Sequence, residues 1–400
     1  QRVQRHLFFL TQGTMASAGK WHTVLRRSDG EVVACGLNSA GQCSIPPLDE
    51  GISYCQVSGG DKHTVLLRSD GQAIACGCNE DGRCSMPPLD EGISYTQVSA
   101  GAFHTVLLRS DGQAVACGGN DHGQCAIPPL DEGMSYCQVS AGESHTVLLR
   151  SDGQAVACGY NEDWRCSMPP LDEGISYTQV SAGAFHTVLL RSDGQAVACG
   201  SNSYGQCSIP PLDDGLSLCQ VSAGGNHTVL LRSDGRAVKF GGEIFGTSPI
   251  PPLDEGILYS QVSAGGLHTV LLRSDGQAVS CGWNHYGQLN MPSLKSWSEW
   301  FGFPSPGYRY ICDDFRTRVV QMDFHLEGDG IILTCAGLDG QEVLRLKTRK
   351  SDRAVDICNS VARELNTSVP SLRMVLPDGH LLSSVWKANP FAKLSDVISA

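Results

Sequence analysis

From His104 to Arg109 the chain alternates with a period of two, Val106 and Leu108 set against Thr105 and Leu107. That period is the mark of a β-strand. Tyr95 to Ser99 reads as a strand ahead of it, set off by Gly101, and Gln113 to Cys117 as the strand that returns. Between the last two, Ser110-Asp111-Gly112 supplies a tight hairpin turn with glycine where a positive φ is expected. Gly118 to Gly123 forms a second turn, and Cys125 to Ile127 a short fourth strand stopped by Pro128-Pro129. Proline cannot donate to a ladder, so this last strand is expected at an outer edge.

The unit recurs without insertion or deletion. His22, His63, His104, His145, His186, His227 and His268 stand 41 residues apart, and Arg83 to Gly118 is identical to Arg165 to Gly200. Four short antiparallel strands in about 40 residues describe a propeller blade. The glycines and the alternation exclude helical repeats. One blade cannot bury both of its faces, so neighbours must stack, and seven copies can close a ring. A closing strand is expected from Val3 to Leu10 or from Tyr308 to Ile311. The expected fold is thus mainly β, a seven-bladed β-propeller over residues 1–292.

The pattern S-A-G-x-x-H-T-x-x-L-x-S-D-G, followed by A-C-G-x-N-x-x-G-Q, resembles the repeats of the regulator of chromosome condensation family. Asn38, Gly41 and Gln42 fit it, as do Asn120, Gly123 and Gln124, and Asn284, Gly287 and Gln288. The resemblance covers about residues 11–292. Cysteine replaces the tryptophan common before the second motif's glycine, and the sixth copy, Phe240 to Thr247, loses the asparagine motif. Besides a metal or redox enzyme using the Cys and His arrays, the resemblance supplies two sharper alternatives to a scaffold. One is guanine nucleotide exchange on a small GTPase, which relatives achieve with an inserted loop absent from this rigid spacing. The other is substrate recognition within a ubiquitin ligase system, without space here for a catalytic HECT domain.

In an up-and-down meander counted from the axis, the loops before the second strand and after the third open on one face. That face holds Trp21, Lys62, Phe103, His122, Tyr160, Trp164, Phe185, Tyr204, Asn226, Leu267, Trp283 and Tyr286. It is varied and aromatic, as a protein-binding surface requires, since aromatic anchors dominate interface energy. The opposite face holds the uniform Ser-Asp-Gly turns and six acidic pairs from Asp49-Glu50 to Asp254-Glu255, an acidic collar.

Composition narrows the function classes. The 400 residues are 41% hydrophobic and 18% charged, too many for one small core. The net charge of -12 lies entirely ahead of residue 307 and includes no basic cluster, so nucleic acid is not the expected partner. No apolar run is long enough for a membrane span. Leu7 to Leu10 is too short for a secretory segment, and a cytoplasmic or nuclear location and a monomer are expected. Most of the 18 cysteines keep the repeat's beat, as Cys35, Cys76 and Cys117 do, and read as small buried hydrophobes rather than disulfide partners. Symmetry places the seven histidines in separate blades, whereas a metal needs converging ligands; each is expected to bond a neighbouring loop. No metal or cofactor is expected. Each potential catalytic group is copied in place, which counts against an enzyme.

After Met291 the beat stops. Residues 293–318 read as a connector and 319–400 as a small α+β domain. Val320 to Glu327, Ile331 to Leu338 and Glu342 to Thr348 alternate as strands. A helix capped by Ser351 or Asp352 runs to about Leu365, then Leu372 to Leu376 alternates again, and Leu394 to Ile398 closes the order. From Ile331 to Ile398 the stretch resembles ubiquitin-like β-grasp domains in "KTRKSDRAVDICNSVARELN" and "LRMVLPDGHLL", without a diglycine tail. The chain as a whole is expected to act as a non-catalytic scaffold or adaptor for a protein partner.

Overall fold

The alternation read along His104 to Arg109 is realised in seven strands of the same kind, each buried on both faces. The computed structural model describes residues 14–242 and 248–291, and the backbone of strands 321–327, 330–336 and 342–349. The chain divides into two compact units, residues 1–296 and 297–400. In the first unit, blade 1 is β1 (Met15–Ala18), β2 (His22–Arg26) and β3 (Val32–Gly36). Blade 2 is β4 (Tyr54–Gly59), β5 (His63–Arg68) and β6 (Ala73–Gly77); blade 3 is β7 (Tyr95–Ala100), β8 (His104–Arg109) and β9 (Ala114–Gly118). Blade 4 is β10 (Tyr136–Ala141), β11 (His145–Arg150) and β12 (Ala155–Gly159); blade 5 is β13 (Tyr177–Ala182), β14 (His186–Arg191) and β15 (Ala196–Gly200). Blade 6 is β16 (Leu218–Ala223), β17 (His227–Arg232) and β18 (Ala237–Gly241), and blade 7 is β19 (Tyr259–Ala264), β20 (His268–Arg273) and β21 (Ala278–Gly282).

Each blade is an antiparallel sheet of three strands, not the four expected. The segment read as a fourth strand, Cys125 to Ile127, spends its backbone groups locally. Cys125 N donates to Asn120 Oδ1 at 2.8 Å, Ala126 N to Gly123 O at 3.0 Å and Ile127 N to Cys125 O at 2.9 Å. Pro128 and Pro129 follow, so no amide is left for a ladder. Tyr136 Oη then donates to Pro128 O at 2.8 Å and clamps the segment to the next blade.

The middle strands explain why neighbours must stack. Val65 and Leu67 of β5 pack on Tyr95, Val98 and Leu107 of blade 3, while Leu66 between them packs on Val24 of blade 1. One such cluster fills every seam, and Val270 and Leu272 of blade 7 pack on Ala16, Ala18 and Leu25 of blade 1. The ring is closed. A belt of backbone hydrogen bonds circles the axis, from Lys20 N to Gly60 O at 2.9 Å round to Gly266 N to Gly19 O at 3.1 Å. The belt demands glycine, because a Cβ on Gly60 would lie 2.3 Å from Gly101 O.

The seven histidines bond the next blade's strand rather than a loop. Nε2 of His22, His63, His104, His145, His186, His227 and His268 meets Oγ1 of Thr64, Thr105, Thr146, Thr187, Thr228, Thr269 and Thr23 at 2.8–2.9 Å. Thr146 Oγ1 in turn donates to Gln124 O at 2.7 Å, so it accepts from His104 and assigns that proton to Nε2. Burial pushes the imidazoles far down, to about 4 for His104 and about 3 for His268.

In the second unit, β22 (Gln321–Glu327), β23 (Gly330–Ala336) and β24 (Glu342–Arg349) form an antiparallel sheet in that order. Gln321 pairs with Ala336 and Ile331 with Thr348, as the three alternating stretches imply. The connector, the helix from Ser351 or Asp352, the strands at Leu372 and Leu394, and both closing strands, Val3 to Leu10 and Tyr308 to Ile311, lie outside the described residues. Among the described residues closure is direct, blade 7 on blade 1.

Candidate partner-binding face

The register of each blade decides which loops share a face. His104 opens β8 opposite Gly118, the last residue of β9. The loop before the middle strand and the loop after the third therefore lie side by side, joined by Gly119 N to Phe103 O at 2.8 Å and by Tyr160 N to Ser144 O at 2.8 Å. The asparagine motif shapes the second loop. Gln124 Oε1 accepts from His122 N at 3.0 Å, and Gly123 takes φ +78°. Side chains not used in this lock are free to vary.

The twelve sequence-predicted residues lie in the loops of this face, nine of them in two aromatic groups. At the seam between blades 7 and 1, Trp21 packs edge-on against Trp283 at 5.1 Å and Tyr286 at 5.8 Å, and Trp283 against Tyr286 at 5.5 Å. Those separations are ring contact, so the cluster is filled by itself and leaves no slot for a cation between its faces. Along blades 3 to 5 the rings are more exposed: Phe103, Phe185 and Tyr204 are each 38% exposed and Trp164 is 69% exposed. His122 meets Tyr160 edge-on at 5.1 Å across the blade 3/blade 4 seam. Lys62 is exposed, whereas Leu267 and Asn226 are half-buried and line the axial opening.

Trp164 differs from every equivalent. Blade 2 reads Asn79-Glu80-Asp81-Gly82-Arg83 where blade 4 reads Asn161-Glu162-Asp163-Trp164-Arg165. Gly82 has φ +76° and Trp164 φ +68°, alone among the described non-glycine residues in adopting a positive φ. Holding a bulky side chain there costs roughly 1–2 kcal/mol. The next residue, Arg165, lies 4.8 Å from the Tyr160 ring centre and 5.4 Å from that of Phe185, and donates to Ala184 O at 2.7 Å. Arg83 stacks on Phe103 at 5.5 Å in the same way. These arginines were missed in the sequence; their occupancy of the slot held by Gln42, Gln124 and Gln206 is the signal that marks them.

Also missed was the charged mouth of the axis. The first residue of each loop faces the axial opening, a cavity of about 260 Å³ with walls of alanine and glycine. There Lys20 Nζ lies 3.2 Å from Asp61 Oδ2 and 3.6 Å from Glu143 Oε1. The opposite face carries the acidic turns, and its carboxylates are partly neutralised. Arg109 holds Asp90 at 2.9 Å and Asp111 at 2.8 Å, and Arg150, Arg191, Arg232 and Arg273 repeat the arrangement. Asp90 and its equivalents are highly exposed, so their pairs contribute little. The fifteen described cysteines carry free thiols, and burial pushes those of Cys35, Cys76, Cys117, Cys158 and Cys199 up to about 12. Among the described residues no three His, Cys, Asp or Glu side chains converge to hold a metal. Nor is any helix there long and apolar enough to cross a membrane.

Six stretches of the chain, residues 16–42, 54–83, 95–124, 136–163, 177–206 and 259–288, match the Regulator of chromosome condensation (RCC1) repeat. The matches fall on six of the seven blades, blade 6 being the one without. The chain is similar to human WBSCR16, with 21% identity and a TM-score of 0.54 over 64% of this chain and 80% of that one. Prp20p of Saccharomyces cerevisiae, a structure described with binding to Gsp1p and histones, shares 19% identity and a TM-score of 0.54 over 67% of this chain and 81% of that one. The ectodomain of the Arabidopsis thaliana receptor kinase ACR4 shares 20% identity and a TM-score of 0.55 over 70% of this chain and 97% of that one. At these identities the likeness is one of fold. No curated protein matches the chain.

Proposed function

We propose that the propeller is a non-catalytic scaffold that docks a protein partner on its variable face, with the arc from Phe103 to Tyr204 as the contact. The observation that carries this reading is Trp164. A chain that holds glycine at the same place in blade 2 holds there a 69% exposed tryptophan in a conformation that disfavours it. Local strain persists where it serves a site, and an exposed tryptophan next to an arginine held between the Tyr160 and Phe185 rings is the make-up of an interface anchor. Of the exposed large hydrophobic side chains described, Phe103, Trp164, Phe185 and Tyr204 lie on this face and Leu258 on the other. Prp20p, of like fold, is named with protein partners, which agrees with this use of the architecture. A ubiquitin-like tail and a location in cytoplasm or nucleus are parts of the same proposal, and substrate recognition for a ubiquitin ligase system is its alternative.

The test compares proteins captured by the immobilised full chain with those captured by Trp164→Gly and by the opposite-face variant Asp90→Asn. Trp164→Gly should lose the specific partners while Asp90→Asn keeps them. Equal capture by Trp164→Gly and the unmodified chain would remove the reading.

A further inference from the structure

The axial mouth holds more carboxylate than it can satisfy. Lys20, from blade 1, reaches across to Asp61 of blade 2 and Glu143 of blade 4, using one oxygen of each. The other two, Asp61 Oδ1 and Glu143 Oε2, are buried with no hydrogen-bond partner, and so is Asn226 Oδ1 on the same lining. Asp61 is only 8% exposed. One cation faces two anions, leaving a formal charge of −1 against apolar walls. Buried acceptors left unmade are costly, and more so when charged.

We propose that this cavity receives one cationic side chain, an arginine or lysine carried by the protein partner. The alanine and glycine walls suit an alkyl stem, and the orphan oxygens suit the donors at its tip. A guanidinium fits best, because its planar fork can serve two carboxylates at once. Protein rather than free cation is the source, because the cavity opens among Trp21, Phe185 and Leu267, on the face that carries the aromatic arc. In naming the partner's chemistry the inference rests on the docking reading above, but its test does not need the partner.

The probe is the capped tripeptide Gly-Arg-Gly, titrated against the full chain by ligand-observed NMR, with Gly-Ala-Gly and agmatine as comparisons. The arginine peptide should bind saturably at one site per chain and the alanine peptide should not. Affinity should fall at least tenfold in the isosteric pair Asp61→Asn/Glu143→Gln. It should rise severalfold in Lys20→Met, which vacates the place of the internal cation; a merely structural role for the trio predicts no such gain. Trp164→Gly should leave tripeptide affinity unchanged, so loss of partner capture in that variant speaks only to the rim. No saturable binding, equal binding in the double variant, or binding of agmatine without the peptide would overturn the proposal.

Discussion

A histidine repeated seven times acts on stability through its proton. Each is nine-tenths or more buried and neutral, with values lowered to about 4 in His22, His104 and His186 and about 3 in His63, His227 and His268. Desolvation is the main cause, and in most of them Nδ1 has no partner to receive a second proton's hydrogen bond. The unfolded chain takes up protons below about 6.5, where the folded ring still refuses them. Stability is therefore full above that pH and falls as the pH drops toward 4, by up to about 1.4 kcal/mol per pH unit for each histidine. Seven acting together exceed the whole stability of an ordinary domain within two units. Urea midpoints measured from pH 7 to pH 5 should fall steeply, and a flat profile would contradict the buried, neutral assignment. At Trp164 the sign is opposite: replacing it with glycine should raise unfolding free energy by roughly 1–2 kcal/mol, measured by urea titration at pH 7. A fall instead would mean that the tryptophan packs productively on the ring. Its place on the face was legible in the sequence. Its strain becomes legible only when the fixed spacing aligns it with Gly82.

At the scale of the element, sequence and structure agree where both faces of a strand are buried and part where side chains take over the backbone's bonds. The middle strand and the Ser-Asp-Gly turn were readable because alternation and a positive-φ glycine are local facts. The supposed fourth strand carries a similar polarity, but Asn120 sits five residues before Cys125 and captures its amide. Nothing in hydrophobic periodicity reports that competition. The histidine's partner was likewise hidden, since Thr146 lies 42 residues from His104 and meets it only across a seam. That bridge has a measurable weight. Thr146→Val keeps the shape but strands His104 Nε2 in a buried seam and leaves Gln124 O only the weak donor of the Cys158 thiol, a loss of roughly 1–3 kcal/mol. Thr146→Ser, which restores the hydroxyl, should recover most of it. Equal midpoints for the valine and serine variants would show that packing, not the bridge, holds the seam.

In the whole molecule, the count of seven and the unbroken spacing made a ring legible, whereas the axial trio was not. Lys20, Asp61 and Glu143 occupy one slot of the repeat, yet only closure brings blades 1, 2 and 4 around one axis. Closure also changes how the repeats share stability. In an open array each unit touches its neighbours alone, so the terminal units fray first. Here the terminal blades are bound to each other: Ala18 N donates to Ser263 Oγ at 2.9 Å, Thr23 meets His268 at 2.9 Å, and Val270 packs against Leu25. Opening that seam gives up the same histidine–threonine and serine–backbone bridges as opening any other. Hydrogen exchange at neutral pH should therefore protect β2 and β20 to within about tenfold of β11 in the middle of the series, all three exchanging through global unfolding. Exchange a hundredfold faster in β2 and β20 than in β11 would mean that the seam between blades 7 and 1 opens on its own. The face across it, including the mouth that Lys20 spans, would then be assembled only part of the time.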